Sequence, residues 1–235
     1  MKPLSERQAN IARDLAVEGP LRIVAKPAFH AVLAAQQWWF TATASPAQSL
    51  PEGKVTAVIK TFERPQRCAD LIASIRRSWR GMPIIVVDDS RSPGKFHGCQ
   101  VIRLPFDSGL SAGRNAGLAA VETQYFLNLD DDFLFDRRTA VDGALALLEA
   151  YPQVQLLAGQ VVDLPLLITH DTEDARLFGN PAAPIIAPGT KVGPMTVKDK
   201  VPNFFLARTE SVRAIGWDPE LKLLEHADFF SRARG

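Results

Sequence analysis

Two apolar runs in this chain each end in a cluster of aspartates, and that repetition constrains the fold more than any other feature. Pro83-Ile84-Ile85-Val86-Val87 runs into Asp88-Asp89, and Tyr125-Phe126-Leu127-Asn128-Leu129 runs into Asp130-Asp131-Asp132. A short apolar run without polar alternation reads as a strand buried on both faces, the pattern of a parallel sheet. Further strands are predicted at Val55–Ile59, Val101–Leu104 and Gln155–Val162, with a returning strand at Asn203–Ala207. Helical spacing lies between them: a segment opened by Arg64-Pro65 with Leu71, Ile72, Ile75 and Trp79 on one face, then Leu110–Val121, Thr139–Ala150 and a short Glu210–Gly216. Strands alternating with helices imply an α/β fold, a mostly parallel central sheet with helices on both faces. Ligands of such sheets gather beyond the carboxyl ends of the strands, so both acidic clusters are placed on one edge.

The bulk numbers limit the alternatives. A chain of 235 residues, 46% hydrophobic and 23% charged, suits one globular domain with a small extension. We divide it into an N-terminal extension and linker over 1–53 and a main domain over 54–235. The loop chemistry of Ser45-Pro46-Ala47-Gln48-Ser49-Leu50-Pro51-Glu52-Gly53 marks the boundary. A formal net charge of +1 supplies no long-range field for nucleic acid, so a nucleotide must be held by local groups. Cys68 and Cys99 have no metal-type spacing and form no disulfide framework. Met1–Arg7 is polar and lacks the apolar core of a signal peptide. The apolar stretch Ala31–Ala35, followed by Trp38-Trp39-Phe40, is broken by Gln36-Gln37 and falls short of the roughly 20 residues a spanning helix needs. The chain thus reads as cytoplasmic. The aromatic cluster is expected to bury against the main domain, with contact to a membrane surface or partner as the alternative. Leu164–Pro202, punctuated by prolines at 165, 181, 184, 188, 194 and 202, reads as one long irregular loop of functional character.

The candidate chemistry follows the strand ends. Three successive carboxylates repel one another unless a cation or protons compensate. A hard divalent cation, Mn²⁺ or Mg²⁺, takes carboxylate oxygens and keeps sites for phosphate and water; a solvated acidic turn or helix cap is the competing reading. Asp107-Ser108-Gly109-Leu110-Ser111-Ala112-Gly113-Arg114-Asn115-Ala116-Gly117 combines small residues that admit a ligand to the backbone with an arginine fork suited to phosphate or ribose oxygens. Glycines serving turns and packing alone would explain the same string. Lys60–Arg64 ends the first strand, where a base pocket forms, although Lys60 and Arg64 also fit as surface charges. Near the C-terminus, Glu225-His226-Ala227-Asp228 precedes Phe229-Phe230. Asp228, a carboxylate against an apolar wall, is the candidate general base and Glu225 the other candidate. Both also fit as acids of a helix N-terminus, and His226 as a structural histidine.

These residues resemble a known family. Val55–Phe62, Val87-Asp88-Asp89-Ser90, Gly109–Gly117 and Leu129-Asp130-Asp131-Asp132-Phe133 resemble the nucleotide-sugar domain of GT-A glycosyltransferases of the family 2 type. Lys60-Thr61-Phe62, Ala112-Gly113-Arg114-Asn115 and Asn203–Thr209 give the likeness a ganglioside β-1,4-N-acetylgalactosaminyltransferase flavour. The resemblance implies a UDP-sugar donor, inverting transfer to a glycan or glycolipid hydroxyl, and a divalent metal. It implies that Thr61, Phe62 and Arg64 line the uridine pocket and that Asp88 or Asp89 meets uracil or ribose. Arg114 would lie near ribose or diphosphate, with Asp131 beside the nucleotide-sugar. Asp130 and Asp132 would bind the metal, and Asp228 would act as base. The sequence departs from that family in showing no membrane anchor and in stopping at Gly235, where relatives continue, so truncation of the C-terminal part is an expectation too. Three other readings stand beside it. A nucleotidyltransferase would want a Gly-rich loop after the first strand, where Lys60–Pro65 has none. A receiver-like Mg²⁺-binding signalling module would need fewer successive acids. A catalytically inactive sugar-nucleotide-binding domain remains open.

Overall fold

The computed structural model describes residues 11, 14, 22–42, 50–169, 177 and 183–233. The polar Met1–Arg7 stretch and the Ser45–Ser49 part of the linker lie outside the described residues. In chain order the elements are α1 (Arg22–Ala42), β1 (Val55–Thr61), α2 (Pro65–Ser78), β2 (Ile84–Asp88), β3 (Gln100–Arg103), α3 (Leu110–Ala119), β4 (Tyr125–Asp130), α4 (Val141–Ala150), β5 (Leu156–Ala158), β6 (Val162–Asp163), β7 (Ile168–Thr169), β8 (Lys191–Val192), β9 (Met195–Thr196), β10 (Phe205–Arg208), α5 (Thr209–Ile215) and α6 (Glu225–Arg232).

The main sheet has the order β3-β2-β1-β4-β10-β5. Strands β1 to β4 are parallel, and β10 runs antiparallel between β4 and β5. Every residue of β1 and β2 is buried, because helices cover both faces. On one face Ala57, Ile59, Val86, Leu127 and Leu129 pack against Leu71 and Ile75 of α2 and Leu145 and Leu148 of α4. On the other, Val58, Ile85, Val87 and Phe126 meet Leu118 of α3, Val212 of α5 and Phe229 and Phe230 of α6. The rings of Trp217, Phe229 and Phe205 stack in sequence there, with centroids 4.9 and 6.3 Å apart.

Local chemistry explains the boundaries. Pro65 opens α2 at a position where its missing N–H is no loss, and Arg76 and Arg77 sit in its last turn, where cations meet the exposed carbonyls. The predicted strand Gln155–Val162 splits into β5 and β6, and between them Gly159 leaves room for the Phe204 ring, which stands 2.3 Å from where a Cβ would be. Among the described residues in and next to Leu164–Pro202, β6 pairs with β7, and β8 with β9, as two short antiparallel pairs.

Helix α1 corrects the expectation for the aromatic cluster. A 3.6-residue period brings Phe29, Leu33 and Phe40 to the side facing the domain, where Gln36 Nε2 donates to the Pro165 carbonyl at 3.0 Å and Arg138 lies over the Phe40 ring. Trp38 and Trp39 are turned the other way and stay 68% and 59% exposed. Among the described residues no helix is long and apolar enough to cross a membrane.

Helix α3 sits close on the sheet because Gly117 faces it: a Cβ there would stand 2.4 Å from Val58 Cγ1 and 3.2 Å from Val87 Cγ2. Gly117→Ala should therefore lower the free energy of urea unfolding by about 1–3 kcal/mol through overpacking, even though alanine favours a helix by about 1 kcal/mol.

Candidate functional site

The chain builds β1, β2 and β3 outward on one side, then returns to lay β4 on the other side of β1. This reversal opens a crevice at the carboxyl ends of β1 and β4, the place where open α/β sheets bind ligands. Register aligns Thr61 with Asp88 and Lys60 with Asp130, so the strand ends carrying both acidic clusters lie side by side.

The first cluster is turned inward. Asp88 and Asp89 are each 1% exposed. Asp88 Oδ1 accepts from the Ser90 amide at 2.9 Å and Oδ2 from the Gly94 amide at 2.8 Å, which shapes the loop after β2. Asp89 Oδ1 pairs with Lys60 Nζ, and its Oδ2 accepts from the Gly109 amide at 3.0 Å. Lys60 is buried, its stem running across Gly113 of α3, where a Cβ would collide with Lys60 Cδ. Of the two sequence readings for Lys60, solvated charge or site lining, neither describes it: Lys60 is an internal counter-ion joining β1, the β2 end and the loop before α3.

The second cluster divides three ways. Asp131 is fully buried, and the Thr61 hydroxyl donates to its Oδ2 at 2.8 Å across the β1–β4 crevice. Arg64 Nη2 lies 2.6 Å from its Oδ1 as an ion pair off the hydrogen-bond axis, so that oxygen has no aligned donor. Burial raises the Asp131 carboxyl above its ordinary value, the Thr61 bond and Arg64 oppose this, and the neighbouring Asp132 and Asp130 charges add to it. Asp132 faces outward, its Oδ2 3.1 Å from Arg64 Nη1. Asp130 is held on both oxygens, Oδ1 by Arg114 Nη2 at 2.8 Å and Oδ2 by Asn203 Nδ2 at 3.0 Å.

Arg114 is buried under this group. Its Nη1 donates to Asn203 Oδ1 at 2.8 Å, its Nη2 stands 3.3 Å from Glu225 Oε1, and its guanidinium lies over the Trp217 ring. The next residue, Asn115, latches the loop before α6 by exchanging two hydrogen bonds with the Trp217 backbone, at 2.7 and 2.9 Å. The Ala112-Gly113-Arg114-Asn115 string thus admits Lys60, anchors Asp130 and ties down the chain that leads to α6.

Helix α6 supplies Glu225, inside the Arg114 network, and Asp228, half-buried outside it. Arg232 grips Asp228 on Oδ2 alone, at 2.7 and 2.9 Å, and leaves Oδ1 clear. His226 is held near pKa about 4, first by burial and then by the positive charges of Arg114 and Lys200 against the opposing Val201 carbonyl bond. It is therefore neutral at neutral pH, and its Nε2–H donates to Val201 at 2.7 Å. On the opposite lip, Phe62 and Phe106 form an exposed tilted pair with centroids 5.6 Å apart, and Arg91 covers Phe106 at 4.5 Å.

The structure therefore brings together Thr61, Arg64, Asp130, Asp131, Asp132, Arg114 and Glu225, with Phe62 at the rim. It sets Asp88 and Asp89 beneath, and Asp228 along the flank. Among the described residues no three His, Cys, Asp or Glu side chains converge as a cation cage. The oxygen set fits a hard cation that keeps water and phosphate ligands: the Asp132 side chain is exposed, with Arg64 on Oδ2, and Asp131 Oδ1 lacks an aligned donor.

Comparison with known proteins agrees with this architecture. Residues 56–163 match the family described as Glycosyl transferase family 2. The chain is 37% identical over 205 residues to mouse (Mus musculus) beta-1,4 N-acetylgalactosaminyltransferase 1, covering 79% of this chain and 38% of the relative. The Homo sapiens protein of the same name is 37% identical over 210 residues. Mouse beta-1,4 N-acetylgalactosaminyltransferase 2 is 35% identical over 185 residues, covering 75% of this chain and 35% of that protein. The chain thus spans well under half the length of the curated relatives it matches. Among solved structures, S. aureus TarS in complex with UDP-GlcNAc superposes with a TM-score of 0.55 at 18% identity, over 77% of this chain and 53% of that one. TarS in complex with UDP gives 0.54 at 17% identity, over 77% of this chain and 55% of that one. The shared fold is GT-A.

Two outcomes follow from the buried charges. Lys60→Met leaves Asp89 without its counter-ion and should cost about 3–5 kcal/mol in urea unfolding, while adding Asp89→Leu should recover part of the loss. For His226, the folded value of about 4 lies below the ordinary 6.5. Its contribution is present above pH 6.5 and lost as pH falls toward 4, on the order of 1–3 kcal/mol. His226→Gln should flatten the fall in melting temperature across that window.

Proposed function

We propose that this chain, whose residues 56–163 match the family described as Glycosyl transferase family 2, is an inverting glycosyltransferase that moves a sugar, an N-acetylhexosamine, from a UDP-sugar to a hydroxyl of a glycan or glycolipid. One observation carries this reading: at the β1–β4 crevice a buried arginine, Arg114, holds Asp130 while Asp131 reaches Thr61, beside two outward groups of opposite charge, Arg64 and Asp132. Such a site offers a diphosphate an arginine fork and hard-cation ligands within one crevice. The aromatic lip of Phe62 and Phe106 suits the flat face of uracil, and Thr61 and Arg64 close the pocket around the uridine. Asp88 and Asp89 support that corner by fixing the loops after β2 and before α3.

In this mechanism the acceptor hydroxyl oxygen attacks the anomeric carbon from the face opposite the diphosphate. The new C–O bond forms as the bond to the diphosphate oxygen breaks, and the electron pair leaves with UDP. Asp228 takes the hydroxyl proton on Oδ1, the oxygen that Arg232 does not grip. Glu225, engaged by Arg114, serves as the counter-ion that keeps the guanidinium in place and is the alternative proton acceptor. Asp132 and Asp130 would hold Mn²⁺ or Mg²⁺, which would supply positive charge to the diphosphate leaving group.

The test combines binding and turnover. UDP with Mn²⁺ should raise the melting temperature more than GDP, CMP or ADP, and EDTA should remove the difference. Asp132→Ala should abolish the metal-dependent part. Asp228→Asn should keep the UDP shift and lower transfer from a UDP-N-acetylhexosamine by about 10²–10⁴-fold. A chain that no nucleotide stabilises in either metal condition would refute the proposal.

A further inference from the structure

We infer that Arg64 competes with the cation for Asp131 and Asp132, and that a diphosphate relieves the competition by drawing the guanidinium onto its own oxygens. The inference rests on the proposed function, whose cation ligand Asp132 is one of the two acids that Arg64 grips. Arg64 Nη2 lies 2.6 Å from Asp131 Oδ1, and Nη1 lies 3.1 Å from Asp132 Oδ2. The two contacts differ in kind. Asp131 is 0% exposed and its Oδ1 has no aligned donor, so the Arg64 charge reaches a buried oxygen without completing a hydrogen bond there. Asp132 is 47% exposed, where an ion pair is worth little. The other cations nearby are engaged elsewhere: Arg114 is buried between Asp130 and Glu225, and Lys60 pairs with Asp89.

The Arg64 side chain can move while its backbone stays. On one side Glu63, in the left-handed region at φ 56°, is latched to the loop after β2. Its amide donates to Ser90 Oγ at 2.7 Å, and its Oε1 accepts from the Arg91 amide at 2.7 Å. On the other side Pro65 opens α2. Arg64 is thus a long, half-exposed side chain on a fixed root. Its fork suits phosphate oxygens as well as carboxylates. A cation held by Asp132 repels the guanidinium, so cation alone binds against a competitor. A diphosphate offers the guanidinium other oxygens and frees those of the aspartates. Linkage makes the effect reciprocal, so each of the two ligands tightens the other. Direct contact between cation and diphosphate couples them as well, and the share due to Arg64 is read by removing it.

Mn²⁺ binding to the nucleotide-free chain is measured from the electron paramagnetic resonance of free Mn²⁺, and UDP affinity by calorimetry in EDTA and in Mn²⁺. Arg64→Gln is compared with wild type and with Arg67→Gln, which removes another exposed charge of α2 from the same groove. Arg64→Gln should bind Mn²⁺ about fivefold or more tighter without nucleotide. It should bind UDP more weakly in EDTA, and Mn²⁺ should raise its UDP affinity by a smaller factor than in wild type. Circular dichroism confirms that the variants are folded. An arginine that only binds phosphate would lower UDP affinity and leave Mn²⁺ binding unchanged, and that result overturns the inference. So does an equal gain in Arg67→Gln, which would mark a general field in place of competition. In either case tighter UDP binding in Mn²⁺ than in EDTA leaves the transfer reading intact. If neither wild type nor Arg64→Gln binds Mn²⁺, with or without UDP, the cation reading fails and this inference with it.

Discussion

The guanidinium of Arg114 joins three parts of the chain that are far apart in sequence. It meets Asp130 at the end of β4, Asn203 before β10 and Glu225 at the start of α6, with the Trp217 ring beneath it. A buried cation is costly unless its donors are matched, and here two carboxylates and an amide match them. Asn203 is itself fixed, since its carbonyl accepts from Asn128 Nδ2 at 2.8 Å and its own amide returns to Asp130. Such a closed network does little for net stability against an apolar replacement, but it permits one arrangement of its members. The position of the β4 carboxylates relative to α6 follows from it.

Around this fixed centre the crevice is deliberately asymmetric in exposure. Lys60, Asp88, Asp89, Arg114 and Asp131 are buried, whereas Arg64, Asp132, Phe62 and Phe106 face outward. The buried set is preorganised, so no reorientation is needed when charge arrives. Its exposed partners can exchange: the Arg64–Asp132 pair lies in water-accessible surroundings, where an ion pair is worth little, and a ligand bearing anionic oxygens and a cation can replace it. Burial raises the Asp131 carboxyl above its ordinary value, the Thr61 bond and Arg64 oppose this, and the Asp132 and Asp130 charges add to it. Concentrated carboxylates at a buried strand end are disfavoured by desolvation and by one another, and added positive charge relieves both effects.

The parallel sheet was legible because burial on both faces leaves an uninterrupted apolar signature, as in Ile84–Val87 and Tyr125–Leu129. The edge carrying the acids was legible too, because strand direction in a parallel sheet puts every carboxyl end together. Individual side-chain partners were not. Lys60 reads as a surface charge in isolation; only the small residue Gly113 lets its stem pass to Asp89, a pairing between positions 29 apart. Asn203 heads a predicted strand and a motif string, but neither says what its side chain meets, and that role exists only once β10 is laid against β4. The tryptophans of α1 misled for the opposite reason: hydrophobicity suggests burial, but helical phase gives Phe29, Leu33 and Phe40 to the domain and turns Trp38 and Trp39 outward.

The entry to α6 shows how these constraints are transmitted to the flank of the site. Lys222 is tied on both sides, its Nζ to the Asp107 carboxylate at 2.9 Å and its carbonyl to the Leu110 amide at 3.3 Å. Two residues later Leu224 adopts a left-handed backbone, φ 65° and ψ 8°, with its side chain 67% exposed. That conformation disfavours a leucine by about 1–2 kcal/mol and exposes apolar surface as well. Reversing it would release the strain but would swing Glu225 out of its contact with Arg114, leaving a buried guanidinium short of one counter-ion. The larger penalty wins, so the chain accepts the strained turn. The first turn of α6, and Asp228 with it, is thereby held at a fixed offset from Asp130.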